Sequence, residues 1–211
     1  MEITHYGGNC VKIAVKGLTV LVDPVTGEYG PDPKLKSDVV LFSQKPQKEL
    51  ASSAEFAIDT PGEFEVKGLT VDGMAVRLHT EESKDVQNGV AYLVSFKDQR
   101  VFICGNLHPG LSEEQVERVD GIDALVVPVG GKGLTLDREA ASDLVRRFDP
   151  RFVVPLHYDD GVVDYPVPQD SVDQFLQEVG ASDAAREDSL KVTAKDTSDE
   201  TTFVVLNPQK K

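Results

Sequence analysis

Two runs in the second half of the chain, residues 124–129 (ALVVPV) and 152–156 (FVVPL), are apolar without any alternation. A strand written that way is covered on both faces, so the chain must place layers on either side of a partly parallel sheet. Each run is followed by a stretch of helical spacing, as is the run 101–104, which predicts strand-then-helix units with helices at 112–119, 135–148 and near 169–179. Ser112 and Gln115 fit a capping box, and Thr135 is placed to cap the second helix. The apolar stripe of that helix, Ala140, Leu144, Val145 and Phe148, ends at Asp149-Pro150.

Residues 1–100 follow a different pattern of short β-branched runs bounded by Gly, Pro and Asp. Strands are expected at 3–6, 11–15, 18–22, 39–42, 56–58, 64–66, 69–78 and 90–95, with hairpin turns at Lys16-Gly17 and Lys67-Gly68 and a surface loop over 26–36. A last strand is expected at 202–206. No repeat or composition shift marks a boundary, so residues 1–211 read as one domain, β-rich to about residue 100 and β/α beyond it.

The formal net charge is −14, of which residues 159–200 carry −9, read as a solvated acidic face. Such a surface repels a phosphate backbone, so no nucleic-acid partner is expected. No membrane partner is expected either, since no apolar run approaches a membrane span; residues 1–10 lack a signal-peptide pattern, and the expected location is the cytoplasm. Cys10 and Cys104 lie far apart among apolar residues and read as buried and structural.

Polar groups collect where apolar strands end, the place an open sheet leaves for a ligand. Asp23 follows one strand, Asn106 and His108 another, Gly130 to Gly133 with Lys132 a third, His157 a fourth, and His79 ends the first-half strands. Only four histidines are available, and His5 reads as a strand residue. The glycine turn could cradle an anion on its N–H groups, though it lacks nucleotide-loop spacing.

The ordered segments GLTVLVDP, VVLFS, PGEFEVKGLTV, a strand ending at His79, VFICGN, DALVVPVGG and LDREAASDLVRRFDPRFVVPLHY resemble the metallo-β-lactamase-fold superfamily, in its lactonase-like, zinc-dependent-hydrolase-like group, over roughly residues 1–158. The resemblance implies an α/β fold, a four-layer αββα sandwich of two mixed sheets flanked by helices, with the site at one edge. It also implies metal ligands, most of which are replaced. The HxHxDH segment falls on Gln44 to Glu49, the bridging Asp on Asn106, and the N-terminal Gly-His-Ser turn on Gly7-Gly8-Asn9. His79 and His157 alone stand at matching ligand positions.

A catalytic zinc needs about three protein ligands and an open position for water. The expectation is therefore a metal-free, non-catalytic homologue that binds a small molecule or protein partner in a cleft lined by Asp23, Gln44, Glu49, Asn106 and Lys132, with no cofactor. The alternative is a hydrolase of esters, lactones or phosphoesters with one zinc or other divalent ion on His79, His157 and His108. Asn106 and His108, two apart, share a side if the strand stays extended. Otherwise His108 caps the loop before Ser112. Glu49, Glu63 or Asp23 could add a carboxylate, and Glu63 and Glu65 otherwise read as polar residues of a turn and a strand face.

Overall fold

The computed structural model describes residues 1–24, 33, 35–46, 54–80, 82, 85–193 and 200–209. The first sheet contains β1 (Glu2–His5), β2 (Val11–Val15), β3 (Leu18–Val22), β4 (Ser37–Leu41), β5 (Ala54–Ile58) and the short β13 (Leu190–Lys191), in the order β13-β1-β2-β3-β4-β5. The second contains β6 (Gly62–Val66), β7 (Leu69–Val76), β8 (Gly89–Phe96), β9 (Gln99–Ile103), β10 (Ala124–Pro128), β11 (Phe152–Leu156), β12 (Ala185–Glu187) and β14 (Thr202–Leu206), in the order β12-β14-β11-β10-β9-β8-β7-β6. Both are mixed. Hairpins pair antiparallel within β1–β3 and β6–β9, while β3–β4–β5 and β9–β10–β11–β14 run parallel. These are the two mixed sheets and flanking helices that the sequence leads one to expect.

The alternation of β2 buries Val11, Ile13 and Val15 against residues of the other sheet such as Val71, Tyr92, Val101 and Val126, forming the core between the sheets. Helices α1 (Glu113–Val119), α2 (Arg138–Phe148) and α3 (Val172–Glu178) cover the outer face of the second sheet, where Leu144, Val145, Phe148, Phe175 and Leu176 meet Phe102, Leu125, Val127 and Val153. That double coverage is why β10 is buried along its whole length. Among the described residues no helix is long and apolar enough to cross a membrane.

The capping box of Ser112 and Gln115 is present. The second helix starts later than its sequence suggests. Asp137, not Thr135, is its cap, because the Asp137 carboxylate accepts from the N–H of Ala140 at 2.8 Å, and Thr135 is buried two residues before it. Lys16-Gly17 and Lys67-Gly68 are hairpin turns with positive φ at both residues of each pair. The short strands β12 and β13 went unrecognised in the sequence; three- and two-residue ladders carry no readable period. Most of the expected 26–36 loop lies outside the described residues.

The two sheets are joined at one edge by polar bonds as well as apolar packing. Tyr92 on β8 directs its hydroxyl to the carbonyl oxygens of Phe42 and Ile58, at 2.8 and 3.0 Å, and Ser43 accepts from the N–H of Val90 at 2.8 Å. Gly105, following β9, sits directly against Ser43 with φ +56°, and a Cβ there would lie 2.3 Å from the Ser43 Cβ. We therefore expect Gly105→Ala to cost about 3 kcal/mol, combining overpacking with a left-handed backbone. Gly17→Ala, with φ +82° and nothing nearby, should cost only about 1 kcal/mol. Urea unfolding of the two variants measures the difference, and equal losses would contradict this account of the seam.

Candidate functional site

The polar strand ends predicted to form a cleft do converge, and the seam is what brings them together. The chain turns left-handed immediately after β3, at Asp23 (φ 43°), and its carboxylate accepts from both the N–H of Ser43 at 2.7 Å and the Ser43 hydroxyl at 2.6 Å. Burial pushes the Asp23 carboxyl up to about 6, against the pull of these two hydrogen bonds. Ser43 in turn abuts Gly105, which sets the position of Asn106.

Asn106 is buried and engaged at both ends. Its backbone carbonyl accepts from the N–H of His79 at 2.8 Å, and its side-chain oxygen accepts from the Asn9 amide at 2.8 Å. The remaining Asn9 oxygen faces Nδ1 of His157 at 3.3 Å. An amide oxygen only accepts, so this arrangement puts the proton of the neutral ring on Nδ1 and leaves Nε2 as a bare lone pair. His157 is 8% exposed, Nε2 has no hydrogen-bond partner, and the ring stacks on Tyr165 with centroids 4.6 Å apart. Burial lowers the His157 pKa to about 4, outweighing the attraction of Asp160.

The turn carrying Asn9 is clamped from several directions. His157 donates its backbone N–H to the Gly8 carbonyl at 3.2 Å, while the buried His5 ring lies within 3.2 Å of that carbonyl and 3.3 Å of the Leu206 carbonyl. Asp160 accepts from the N–H groups of Gly8, Val162 and Val163 at 3.0, 2.8 and 3.1 Å. Asp160 thus departs from the expected solvated face: its side chain is fully buried and ties the loop after β11 to the N-terminal turn.

His79 and His108 lie face to face, ring centroids 6.0 Å apart, on segments joined by the bridge between Leu78 and Leu107. His108 Nδ1 accepts from the N–H of Gly110 at 3.1 Å, the loop-capping role. His79 is half-buried, its Nδ1 unpartnered and its pKa lowered chiefly by burial. Lys132 (φ 54°) pairs with Asp170 at 2.8 Å, and the Asp170 N–H bonds the Gly130 carbonyl at 2.9 Å. The glycine turn does not make an anion cradle in this form, because the Gly131 N–H is spent on the Leu136 carbonyl at 2.9 Å. A Cβ on Gly130 would lie 2.2 Å from the His157 carbonyl oxygen, so the two turns are in direct contact.

Asp23, Asn106, His79, His108, His157 and Lys132 therefore belong to one chain of contacts. Gln44 follows Ser43 at the surface and is exposed; Glu49 lies outside the described residues. Glu63 and Glu65 are exposed on β6, as polar strand-face residues. Cys10 and Cys104 are buried thiols outside any disulfide, and burial pushes the Cys104 thiol up. Sequence reasoning missed Ser43, Asn9, Tyr165 and Gln169; only the Gly-Gly-Asn turn hinted at one of them, as a turn rather than as a partner for His157.

Among the described residues, the donor set does not fit the metal centre that the fold implies. Among the described residues no three His, Cys, Asp or Glu side chains group so as to hold an ion. Asn106 offers a neutral amide, already bonded to Asn9, and Asp23 is consumed by Ser43. His157 Nε2 and His79 Nδ1 are unpartnered nitrogens, but two ligands fall short of the three a catalytic ion takes.

The pKa shifts make opposite predictions for stability against pH. Asp23, raised above its unfolded value, contributes stability that is present below pH 4 and lost as pH rises through about 6. His157, depressed to about 4, contributes stability present above pH 6.5 and lost as pH falls towards 4; His5 and His79 shift in the same direction. Between pH 4 and 6 Asp23 thus masks part of the acid sensitivity of the histidines. Asp23→Asn should lose stability more steeply on acidification than the parent, and His157→Asn less steeply. Chemical unfolding at a series of pH values would show this; parallel slopes in all three would overturn the assignment.

Comparison with known proteins agrees with the fold. Residues 2–157 match the family model described as the beta-lactamase superfamily domain. A UPF0173 protein of Pyrococcus abyssi is 26% identical over 180 residues, covering 75% of this chain and 83% of the relative; one from Pyrococcus furiosus is 29% identical over 181 residues with the same coverage. The crystal structure of a Thermotoga maritima member of the metallo-β-lactamase superfamily, an inferred zinc-dependent hydrolase, superposes with a TM-score of 0.78 at 26% identity over 98% of both chains. Igni18, a metallo hydrolase of Ignicoccus hospitalis, shares the fold alone, with a TM-score of 0.67 at 16% identity over 99% of this chain and 96% of its own. With matching segments in order along most of its length and the same paired sheets, this chain belongs to the beta-lactamase superfamily domain family.

Proposed function

We propose that the chain is a non-catalytic, metal-free homologue of the hydrolases in its family, which binds a small molecule in the cleft where the strands end. The observation carrying this reading is the Asn106–Asn9–His157 hydrogen-bond chain, two neutral amides and a neutral imidazole at positions where the resemblance puts metal ligands. An amide oxygen is a poor bridge between cations, and it neither attracts an ion nor stabilises a developing charge as a carboxylate–metal pair does. In this reading Asp23, Asn106, His79, His157 and Lys132 would line the cleft. A protein partner is the other occupant this reading admits, but the unfilled polar atoms are recessed, which favours a small molecule over a flat protein surface. Two buried cysteines that form no disulfide fit a reducing compartment such as the cytoplasm, and the −14 charge disfavours nucleic acid.

Elemental analysis of protein purified without chelator should find zinc, iron and manganese far below one equivalent. Adding zinc or a chelator should leave the melting temperature nearly unchanged, in the parent and in His157→Ala alike. Stoichiometric metal that disappears in His157→Ala would replace this reading with that of a mononuclear hydrolase. In that case His108→Ala decides whether His108 is a third ligand, by loss of metal affinity.

A further inference from the structure

Resting on the metal-free reading of the cleft, we infer that its ligand is an uncharged, hydroxyl-bearing molecule, one hydroxyl of which donates to Nε2 of His157. The argument starts from which groups at this edge are already used. Asp23 is bonded twice to Ser43, Asp160 accepts from three backbone N–H groups, Lys132 is paired with Asp170, and Asp137 caps α2. The charged side chains named here are thus each engaged within the protein.

The unpartnered atoms in the turns after β10 and β11 are neutral. His157 Nε2, Gln169 Oε1, Tyr165 Oη and Thr135 Oγ1 are buried atoms without a hydrogen-bond partner. All four belong to the segments that follow the adjacent parallel strands β10 and β11, the position where an open sheet accepts a ligand. Buried polar atoms are nearly always paired in folded proteins, so four orphans in neighbouring turns point to something that pairs them.

Their chemistry selects the class of molecule. Gln169 donates through Nε2 to the Val167 carbonyl at 2.9 Å, which leaves Oε1 as an acceptor. The Asn9 oxygen holds the His157 proton on Nδ1, so Nε2 is an acceptor too. The opposite amide orientation would bury an N–H without a partner, which is costlier than an unpaired lone pair. An anion brings no donors and would face two buried lone pairs. An ammonium group would need a free carboxylate to offset its desolvation, and the carboxylates of Asp23, Asp137, Asp160 and Asp170 are engaged. A hydroxyl group both donates and accepts, which matches two acceptors beside two protein hydroxyls, those of Tyr165 and Thr135.

The test follows His157 directly by NMR, using long-range ¹H–¹⁵N correlations of histidine-labelled protein. Ribitol and glucose serve as uncharged probes, gluconate as the anionic one and zinc chloride as the metal. In free protein His157 should be the Nδ1–H tautomer. Ribitol or glucose at about 50 mM, ample for a millimolar site, should shift its Nε2 resonance, while gluconate should leave it in place. Tyr165→Phe, which keeps the stacked ring, should weaken the polyol effect about tenfold, the worth of one neutral hydrogen bond; His157→Asn should abolish binding while remaining folded by circular dichroism. An Nε2–H tautomer, a response to gluconate alone, or no response to either polyol would overturn this inference and leave the metal-free reading standing. A stoichiometric shift of Nε2 by zinc would instead overturn the metal-free reading.

Discussion

Ser43 is the joint on which this molecule turns. It is fully buried at the end of β4, and three elements meet on it: Asp23 binds its hydroxyl and N–H, Val90 donates to its carbonyl, and Gly105 lies against its side chain. The first sheet is thereby fastened to the second at the edge where the turns of the candidate site emerge. A seam made of hydrogen bonds fixes distances in a way that interdigitated valines do not, because a hydrogen bond weakens steeply as its geometry departs from the ideal. Everything downstream of Gly105, including Asn106 and the approach of His79, takes its position from that contact.

The residues at the strand ends also share an uncommon backbone. Asp23, Lys132 and His157 all have positive φ, in a conformation that costs a non-glycine residue roughly 1–2 kcal/mol. Each lies where a strand gives way to a loop, so the backbone turns sharply and keeps these residues at the sheet edge. Strain of this kind survives only where surrounding contacts over-determine it, and here the Ser43 bonds, the Lys132–Asp170 pair and the clamp on the Gly8 carbonyl supply them.

Much of the architecture was legible from the chain. The unbroken apolar strands, the capping box at Ser112 and the lysine–glycine hairpins follow from local periodicity and turn chemistry, and the ordered segments carried the fold. Asp23, Asn106, His79, His108, His157 and Lys132 were marked by a simple rule, that polar residues ending apolar strands face a common edge. The same rule could not find Asn9, Tyr165 or Gln169, which sit in turns and loops with no period. It also misplaced Asp160, because an acid in an acidic stretch looks solvated until three backbone N–H groups are found around it.

The sequence by itself determined which side chains are available at the strand ends: four histidines in the whole chain, an asparagine where the resemblance puts a bridging carboxylate, and Gln44 to Glu49 where it puts the HxHxDH segment. Composition and spacing suffice for that, since a ligand that is not encoded cannot be supplied by folding. Only the tertiary structure decided what the remaining groups do. Asn9 and His157 are 148 positions apart, and their hydrogen bond, which sets where the imidazole proton sits, arises from the docking of an N-terminal turn against the loop after β11. Tautomer, burial and pairing depend on neighbours in space, and the chain's local pattern holds no record of those.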